Sequence, residues 1–440
     1  MPNKTINNDQ IARLIDIFRR GEFLKALEIS KILISKNNKE AFLFNLKGMA
    51  EIKLNYFKDS ILSFENALKI DQKYIEAYNN LATTYINLGQ FEKAIDYLKK
   101  AITIKPDYAN AFNNLASAQS DLGKYEDALE SFDTILKMQP NYPGVKQNII
   151  KILTFFNPRN KKLNIFTELN ASIKDLNLVG KINDKNVINF YKKCDNIVSN
   201  KLDNIKFDFS QIWRRNNIDL NCSRHFDVFN NFEVIPEFCF SCFKIQISLK
   251  SLLDLFKLYF IFDKIELSKN KSRKCLIELR KIAKGNYKGL IYCSSINEAN
   301  VISETVNEFY KKNYLKNVNM NLKRGCTEFG NLYPDYKKVE DDENNLMKFN
   351  KKWKEKENII DKKLPSKNRI NQRVLNDTIS GFTLNDFLIM KNWVMYAKMI
   401  DDEDYLKFDD NIVVSEYMKS KLENQLDFRK VEFKNNLSKR

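Results

Sequence analysis

Apolar and small residues recur every 34 positions in the first third of the chain. Ile75–Tyr108 and Ala109–Tyr142 align without a gap, and their large, small and helix-breaking residues coincide. The matched pairs are Tyr78 with Phe112, Leu81 with Leu115, Ala82 with Ala116, Gly89 with Gly123, Ala94 with Ala128, Leu98 with Phe132, Ala101 with Ile135 and Pro106 with Pro140. The pattern predicts two antiparallel helices per segment, joined at the glycine and stopped by the proline.

Two further copies fit the same register upstream. Ala41–Tyr74 keeps most of the pattern, and Asn7–Glu40 keeps the least of it. The predicted hairpin turns of the four units lie at Gly21, Asn55, Gly89 and Gly123. One hairpin cannot bury its apolar face alone, so its stability depends on stacking against its neighbours. We therefore expect a helical solenoid over residues 7–157, closed by a capping helix at Pro143–Phe156.

These hairpins resemble the tetratricopeptide repeat over residues 7–142, most closely in the units that begin at Ile75 and Ala109. The resemblance implies that the first helix of each hairpin lines a concave groove that binds a peptide or a partner protein. The residues expected to contact the partner are Asn79, Asn80, Thr83, Asn87, Asn113, Asn114, Ser117 and Asp121. Side-chain amides can pair with the backbone of an extended peptide whatever its sequence. The alternative interpretation is that these polar side chains are only solvated.

One position in these helices resembles the asparagine ladder of protein O-GlcNAc transferases. Asn80 and Asn114 directly precede the repeat leucine. The second unit has Leu46 at the equivalent position, which argues against a long ladder. The first helices also lack paired lysines, so we expect no clamp for a C-terminal carboxylate.

Beyond residue 158 the repeat pattern ends, and we interpret residues 158–215 as a helical linker. Residues 216–330 alternate between strand-like and helix-like periodicity. The predicted strands are Lys244–Leu249, Lys274–Arg280, Tyr287–Cys293 and Val318–Leu322, with helices at Ser251–Lys264 and Ser295–Lys311. This β-α-β-β-α-β order is that of the ferredoxin-like fold. Residues 331–440 are predicted to be a C-terminal helical region, so the expected class is α+β, mainly α.

The ferredoxin-like fold hosts RNA-recognition motifs, and the segment Lys288–Tyr292 resembles their third-strand signature. It has Leu290 in place of the first stacking aromatic residue, and the predicted first strand has no aromatic residue between Ile245 and Leu249. A pair of exposed aromatic rings is what such sheets use to stack bases. RNA binding is therefore a less favoured alternative for this region.

A local cluster of possible metal ligands lies before the first of these strands. Cys222-Ser-Arg-His225 is followed by Cys239-Phe-Ser-Cys242, and His225 is the only histidine of the chain. Two such pairs separated by about a dozen residues have the ligand spacing of a structural zinc site. Two other interpretations stay open: buried thiols with a hydrogen-bonded histidine, and a redox Cys-x-x-Cys pair. We interpret Cys326 as a packing residue.

The formal charge of +17 is unevenly distributed. Residues 1–150 contain 20 Lys and Arg against 18 Asp and Glu, a net +2, which leaves +15 for the rest. A basic region favours acidic or phosphate-rich partners, although a solvated lysine-rich surface explains it equally well. The first ten residues lack an apolar signal-peptide core, and no apolar run is long enough to span a bilayer. We expect a cytoplasmic protein without a membrane partner.

No motif of catalysis is present in the sequence. The chain has only 11 glycines and contains neither the G-x-x-x-x-G-K-[ST] nor the G-x-G-x-x-G phosphate-binding loop. The favoured function is an interaction scaffold whose solenoid binds a protein or peptide. The alternative is a transferase, for example a glycosyltransferase-like enzyme, whose repeats guide a protein substrate to an unrecognised catalytic domain.

Overall fold

The computed structural model describes residues 8–176, 178–202, 207–215, 218–267, 271–281, 283–313, 318–339, 346–364, 373–374, 378 and 381–437. They divide into two compact units. Residues up to 149 form most of the first unit, and the second unit consists of nearly all the residues from 150 onward. The first contains paired helices, and the second contains helices and an antiparallel sheet. This confirms the mainly helical α+β class. Within the described ranges, the helices are all too short or too polar to cross a membrane.

The first unit is a succession of helical hairpins. Its helices are α1 (Asn8–Arg19), α2 (Phe23–Lys36), α3 (Ala41–Lys53), α4 (Phe57–Ile70), α5 (Ile75–Asn87), α6 (Phe91–Ile104), α7 (Ala109–Asp121) and α8 (Tyr125–Met138), followed by α9 (Val145–Ile152). The hairpins predicted for the four units are therefore confirmed. α9 lies inside the segment predicted to cap the solenoid.

The hairpin turns require a left-handed backbone. Gly89 and Gly123 have φ angles of 74° and 75°, and Asn55 has 62° at the corresponding turn. A side chain at positive φ usually clashes with the backbone, but glycine has no Cβ and asparagine tolerates this region better than most residues. Asparagine can therefore replace glycine in the second unit.

Small residues allow the two helices of each hairpin to approach closely. Ala82 and Ala101 are fully buried together with Leu98 in one apolar cluster. The second unit has Gly48 where the third has Ala82, and a Cβ built on Gly48 would lie 2.6 Å from the ring of Phe64. Gly48 thus sets how closely α3 and α4 approach each other at this point.

The second unit mixes helices with short strands. Its elements are α10 (Ile165–Lys174), α11 (Asp184–Ser199), β1 (Gln211–Arg214), β2 (Ile218–Asp219), α12 (Cys222–Phe232), β3 (Phe243–Leu249), α13 (Leu252–Lys264), β4 (Arg273–Ile277), β5 (Tyr287–Cys293), α14 (Ile296–Lys312), β6 (Asn319–Arg324), α15 (Lys354–Lys363), β7 (Arg373–Val374), α16 (Leu384–Met399), α17 (Tyr405–Phe408), α18 (Glu416–Leu422) and α19 (Leu426–Leu437). A short 3-10 helix at Glu237–Ser241 precedes β3.

The strands form a five-stranded sheet and a separate two-stranded pair. The larger sheet has the order β1-β4-β5-β3-β6, and every neighbouring pair in it is antiparallel. β1 comes from the segment interpreted as a linker and forms one edge of this sheet. A Cβ on Gly289 of β5 would lie 2.3 Å from Leu258 of α13, so the glycine lets this helix pack directly on the strand.

Buried ion pairs connect distant parts of the second unit. Arg214 of β1 is 3% exposed and pairs with Asp263 and with Asp386, the latter at 3.4 Å. Arg224 of α12, also 3% exposed, pairs with Asp361 at 2.7 Å and with Glu357 at 3.1 Å. A buried charge is strongly disfavoured without a partner, so these pairs fix which elements can pack together.

Candidate peptide face and cysteine cluster

The polar residues predicted to contact a partner lie on one side of α5 and α7, which we call the first-helix face. The opposite sides of both helices are apolar, with Leu81 and Leu115 buried in the solenoid core. The partly exposed members of the face are Asn80, Thr83, Asn87, Asn113, Asn114 and Ser117, whereas Asp121 is exposed and Asn79 is buried. Helical periodicity thus places most of the predicted residues within reach of solvent.

Side-chain amides connect this face from one unit to the next. Asn114 Nδ2 donates to Asn79 Oδ1 at 2.9 Å and to Thr83 Oγ1 at 3.3 Å. Asn80 Nδ2 donates in the same way to Asn45 Oδ1 of the preceding unit at 3.0 Å. Each bond runs diagonally, and its acceptor lies one position earlier in the preceding unit, so the ladder reaches Asn45 of the second unit. Leu46 has no amide that could donate a further bond to the first unit, as the sequence indicated.

Asn45 is the residue of this ladder that sequence reasoning missed. It occupies the position of Asn79 and Asn113 in the repeat register, so the alignment of the units contained the signal. Its Nδ2 also donates to the Tyr74 hydroxyl at 3.3 Å. Burial, reinforced by the charge of Glu76, raises the pKa of Tyr74 to about 12, so this hydroxyl is neutral at physiological pH.

The ladder uses only part of the hydrogen-bonding capacity of the face. The Oδ1 atoms of Asn80 and Asn114 accept no hydrogen bond from the described residues, and the Asn87 and Asn113 amides make none with them. An amide has two donors and an acceptor with two lone pairs. The face therefore holds oriented carbonyl oxygens and free amide groups that can bind peptide N–H and C=O groups.

The predicted metal ligands belong to three different local structures. Cys222 begins α12, and His225 lies in the first turn of that helix with 1% exposure. Cys239 lies in the 3-10 helix, and Cys242 directly precedes β3, so the pair is not part of a core strand. The chain turns between them, with Cys242 N–H donating to the Cys239 carbonyl at 3.4 Å.

A fourth cysteine, Cys326, lies at the centre of this cluster. Its thiol lies beside those of Cys222 and Cys239, and Cys239 and Cys326 belong to one buried apolar cluster. His225 lies beside Cys222 and stacks on Phe238 with ring centroids 5.3 Å apart, and its buried Nε2 has no hydrogen-bond partner among the described residues. Cys326 is 84 positions beyond Cys242 in the sequence, which is why local ligand spacing did not identify it.

The thiols of Cys222, Cys242 and Cys326 have raised pKa values and are therefore poor nucleophiles. Burial, with a smaller contribution from Cys222, raises the pKa of Cys242 to about 12. Catalytic and redox cysteines need a lowered pKa because the thiolate is the reactive form. As placed, no group of three or more His, Cys, Asp and Glu side chains within the described ranges is positioned to hold a metal ion.

Two aromatic rings stack on the opposite side of the sheet from α13. Trp213 of β1 and Tyr292 of β5 have ring centroids 5.7 Å apart at an angle of 17°. The ammonium of Lys274 lies 4.5 Å from the Trp213 centroid. Burial and the like charges of Lys244 and Arg280 lower the pKa of Lys274 to about 8. Sequence reasoning missed this pair because Trp213 comes from outside the predicted β-α-β-β-α-β segment.

The comparison with known families concerns the first unit. Residues 75–108 and 109–142 match the family model described as tetratricopeptide repeat. This confirms the resemblance for the two units in which the pattern is most regular. Tetratricopeptide repeats are protein-interaction modules. A search of curated proteins finds no match to the chain.

Several solved repeat structures are similar to part of the chain. MamA is 22% identical over 30% of this chain and 77% of its own, with a TM-score of 0.29. MamA from Desulfovibrio magneticus RS-1 is 17% identical over 32% of this chain and 81% of its own, with a TM-score of 0.31. The second TPR domain of human RPAP3, in complex with an HSP70 peptide, is 20% identical over 25% of this chain and 92% of its own, with a TM-score of 0.24.

Proposed function

We propose that the first-helix face binds an extended peptide segment of a partner protein. The observation that carries this proposal is the ladder: Asn80 and Asn114 are each held by a bond from Nδ2, and each keeps an Oδ1 without a partner among the described residues. Because the ladder fixes the orientation of these amides before a ligand arrives, less conformational entropy is lost on binding.

The chemistry of the face favours recognition of a peptide backbone. The side chains available for contact are neutral amides and hydroxyls, with Asp121 at one end. Thr83 and Ser117 each donate to the backbone carbonyl four residues earlier, so their oxygens can still accept a hydrogen bond. Neutral groups of this kind pair with N–H and C=O groups of any extended segment.

We propose for the second unit a ferredoxin-like core enlarged by one strand. The segment from β3 to β6 has the chain order β-α-β-β-α-β, and its strands lie in the order β4-β5-β3-β6. β1 then adds an edge strand beside β4. Fold alone assigns no activity to this unit, which in our proposal accompanies the peptide-binding solenoid.

Peptides selected from a random library on the full chain would test the proposed face. Asn87→Ala and Asn113→Ala should each weaken the binding of a selected peptide about fivefold, since a neutral hydrogen bond contributes roughly 1 kcal/mol. Asn66→Ala is a matched control, because Asn66 is a partly exposed amide on a second helix, α4. Fluorescence anisotropy of the labelled peptide gives the dissociation constants.

The selection must also locate the peptide on the chain. Equal losses for Asn66→Ala and Asn113→Ala would contradict binding at the first-helix face. Selected peptides that bind Asn87→Ala and Asn113→Ala as tightly as the wild type would also contradict binding at the first-helix face.

A further inference from the structure

Four cysteines from three separate parts of the sequence meet where β3 begins and β6 ends. The antiparallel register pairs Phe243 with Arg324, and the Gly325 N–H donates to the Cys242 carbonyl at 2.8 Å. This bond extends the strand pair and places Cys242 beside Cys326. The start of α12 and the 3-10 helix supply the other two thiols, which lie beside Cys326, and Cys239 shares a buried cluster with it.

We propose that the chain binds one structural zinc ion through four thiolates, those of Cys222, Cys239, Cys242 and Cys326. Four cysteines are a common ligand set for structural zinc, and they leave no open coordination position. The earlier prediction had His225 as the fourth ligand. Cys326 replaces it because this thiol lies beside two of the other cysteines, whereas the histidine neighbours Cys222 alone and stacks on Phe238.

Buried positive charge around the cluster supports an anionic centre there. Lys244 and Arg324 are 8% and 1% exposed, and neither makes a salt bridge within the described part of the chain. Each is instead bonded to a backbone carbonyl next to a cysteine: Lys244 Nζ to Gly325 at 2.7 Å and Arg324 Nη1 to Phe240 at 2.5 Å. The Arg324 Nε has no hydrogen-bond partner.

A zinc ion with four thiolates would supply the missing counter-charge. Its net charge is −2, because four thiolates outweigh the divalent cation. Buried cations are expected to be paired with an anion, since an isolated buried charge is strongly unfavourable. One anionic centre at the thiols would thus account for both buried cations, of which Arg324 also lies over the Phe243 and Tyr336 rings, at 4.6 Å and 5.2 Å from their centroids.

Tetrahedral coordination requires the thiols to move when the ion binds. Zinc–sulfur bonds of about 2.3 Å in a tetrahedron place the sulfur atoms about 3.8 Å apart, which is close to direct contact. Because the ligands are not yet positioned around a common point, at least one thiol must rotate. Cys242 is suited to this, since its Sγ lies against Gly325, where a Cβ would be 2.3 Å away.

Zinc binding in this site is an exchange of protons for metal. The four thiols release their protons to solvent as the four Zn–S bonds form, so no oxidant or reductant is required. The ion would connect α12, the 3-10 helix and the end of β6, which are separated by up to 104 positions between Cys222 and Cys326. Its removal should therefore loosen the second unit and leave the solenoid helices in place.

Metal content of the purified full chain tests the proposal. We expect about one zinc per chain in the wild type and loss of at least nine-tenths of it in Cys326→Ser. His225→Gln should keep the zinc, and Cys194→Ala, which removes a buried thiol of α11, should keep it as well. Zinc-free wild-type protein would overturn the proposal, as would zinc that survives Cys326→Ser but is lost in His225→Gln.

A spectroscopic measurement on the wild type covers the case in which Cys326→Ser fails to fold. Cobalt(II) in place of zinc should give the intense sulfur-to-metal absorption of a four-thiolate tetrahedral site. A spectrum with three sulfur ligands and one nitrogen would assign the fourth position to His225 and contradict the proposed ligand set. Disulfide bonds among these four cysteines in protein purified without oxidant would also contradict it.

Discussion

The two units of this chain differ in how far apart in the sequence their buried polar partners lie. In the solenoid, the Asn45–Asn80 and Asn79–Asn114 bonds connect neutral amides of adjacent repeats. In the second unit, several buried contacts are ion pairs between distant segments, such as Arg224 with Asp361, whose partners are 137 positions apart. A neutral bond between neighbours costs little when it is lost, whereas an orphaned buried charge costs a great deal. The solenoid should therefore tolerate substitutions that the second unit does not.

The largest difference is expected at Arg224. Arg224→Met removes the cation from between Glu357, which is fully buried, and Asp361. Glu357 would keep the Glu237 N–H at 2.9 Å and the Lys354 ammonium at 3.9 Å, but the loss of its buried partner should still lower the free energy of unfolding of the second unit by about 3 kcal/mol. All three tryptophans, Trp213, Trp353 and Trp393, lie in this unit, so tryptophan fluorescence during urea unfolding reports on it selectively.

Arg20→Met in the solenoid is the control for this measurement. Arg20 pairs with Asp16 at 2.6 Å, and both side chains are more than half exposed, at 66% and 53%. Loss of this exposed pair leaves no buried charge and should cost less than about 0.5 kcal/mol, measured by circular dichroism of the helices. Equal costs for the two variants would remove the proposed contrast between the units.

Acid should weaken the second unit through Glu278. This carboxylate is 1% exposed and is bonded to Lys288 at 2.7 Å and to Arg280 at 2.9 Å. Burial opposes ionisation, but the two cations outweigh it and lower the pKa of Glu278 to about 2. Because the unfolded value is about 4.3, the stabilisation is complete above that pH and is lost as the pH falls toward about 2, up to about 3 kcal/mol in total.

The variant Glu278→Gln isolates this contribution. It should lower stability at neutral pH and make the urea midpoint of tryptophan fluorescence less dependent on pH between about 5 and 3. An unchanged pH dependence in the variant would mean that other carboxylates govern acid unfolding.

A smaller effect is expected in the solenoid at Gly48. Gly48→Ala adds a methyl group 2.6 Å from the Phe64 ring, and overpacking of this kind costs about 1–3 kcal/mol. The double variant Gly48→Ala with Phe64→Leu recreates the pair Ala82 with Leu98 of the third unit. We expect this double variant to reverse most of the decrease in the melting temperature of the helices that Gly48→Ala causes alone.

The fourth unit shows how this expectation could fail. It combines Ala116 with Phe132 at the same two positions. A single variant with undiminished melting temperature would mean that the Phe64 ring can shift to the arrangement used there.

The smallest effect is expected for the ladder itself. Asn45→Ala removes the acceptor of the Asn80 amide and should lower solenoid stability by roughly 1 kcal/mol. Asn66→Ala, an amide outside the ladder, should change it by less than about 0.5 kcal/mol. A loss above about 3 kcal/mol for Asn45→Ala would show that the ladder couples the repeats more strongly than a single neutral bond can.

The sequence by itself determined the solenoid, because its physics is periodic. Each unit repeats the close helix approach found at Ala82 and Ala116. It also repeats the left-handed turn found at Gly89 and Gly123, so each copy confirms the interpretation of the others. The order of strands and helices between β3 and β6 was predictable for a similar reason, since periods of 2.0 and 3.6 residues are local properties.

Only the tertiary structure decided which distant residues meet. The edge strand β1, the stacking of Trp213 on Tyr292 and the position of Cys326 among the other thiols all depend on pairing between segments far apart in the chain. Side-chain contacts of this kind leave no repeat and no fixed spacing in one sequence. They are set by the packing of the whole second unit, in which each buried charge needs a partner wherever the chain can supply one.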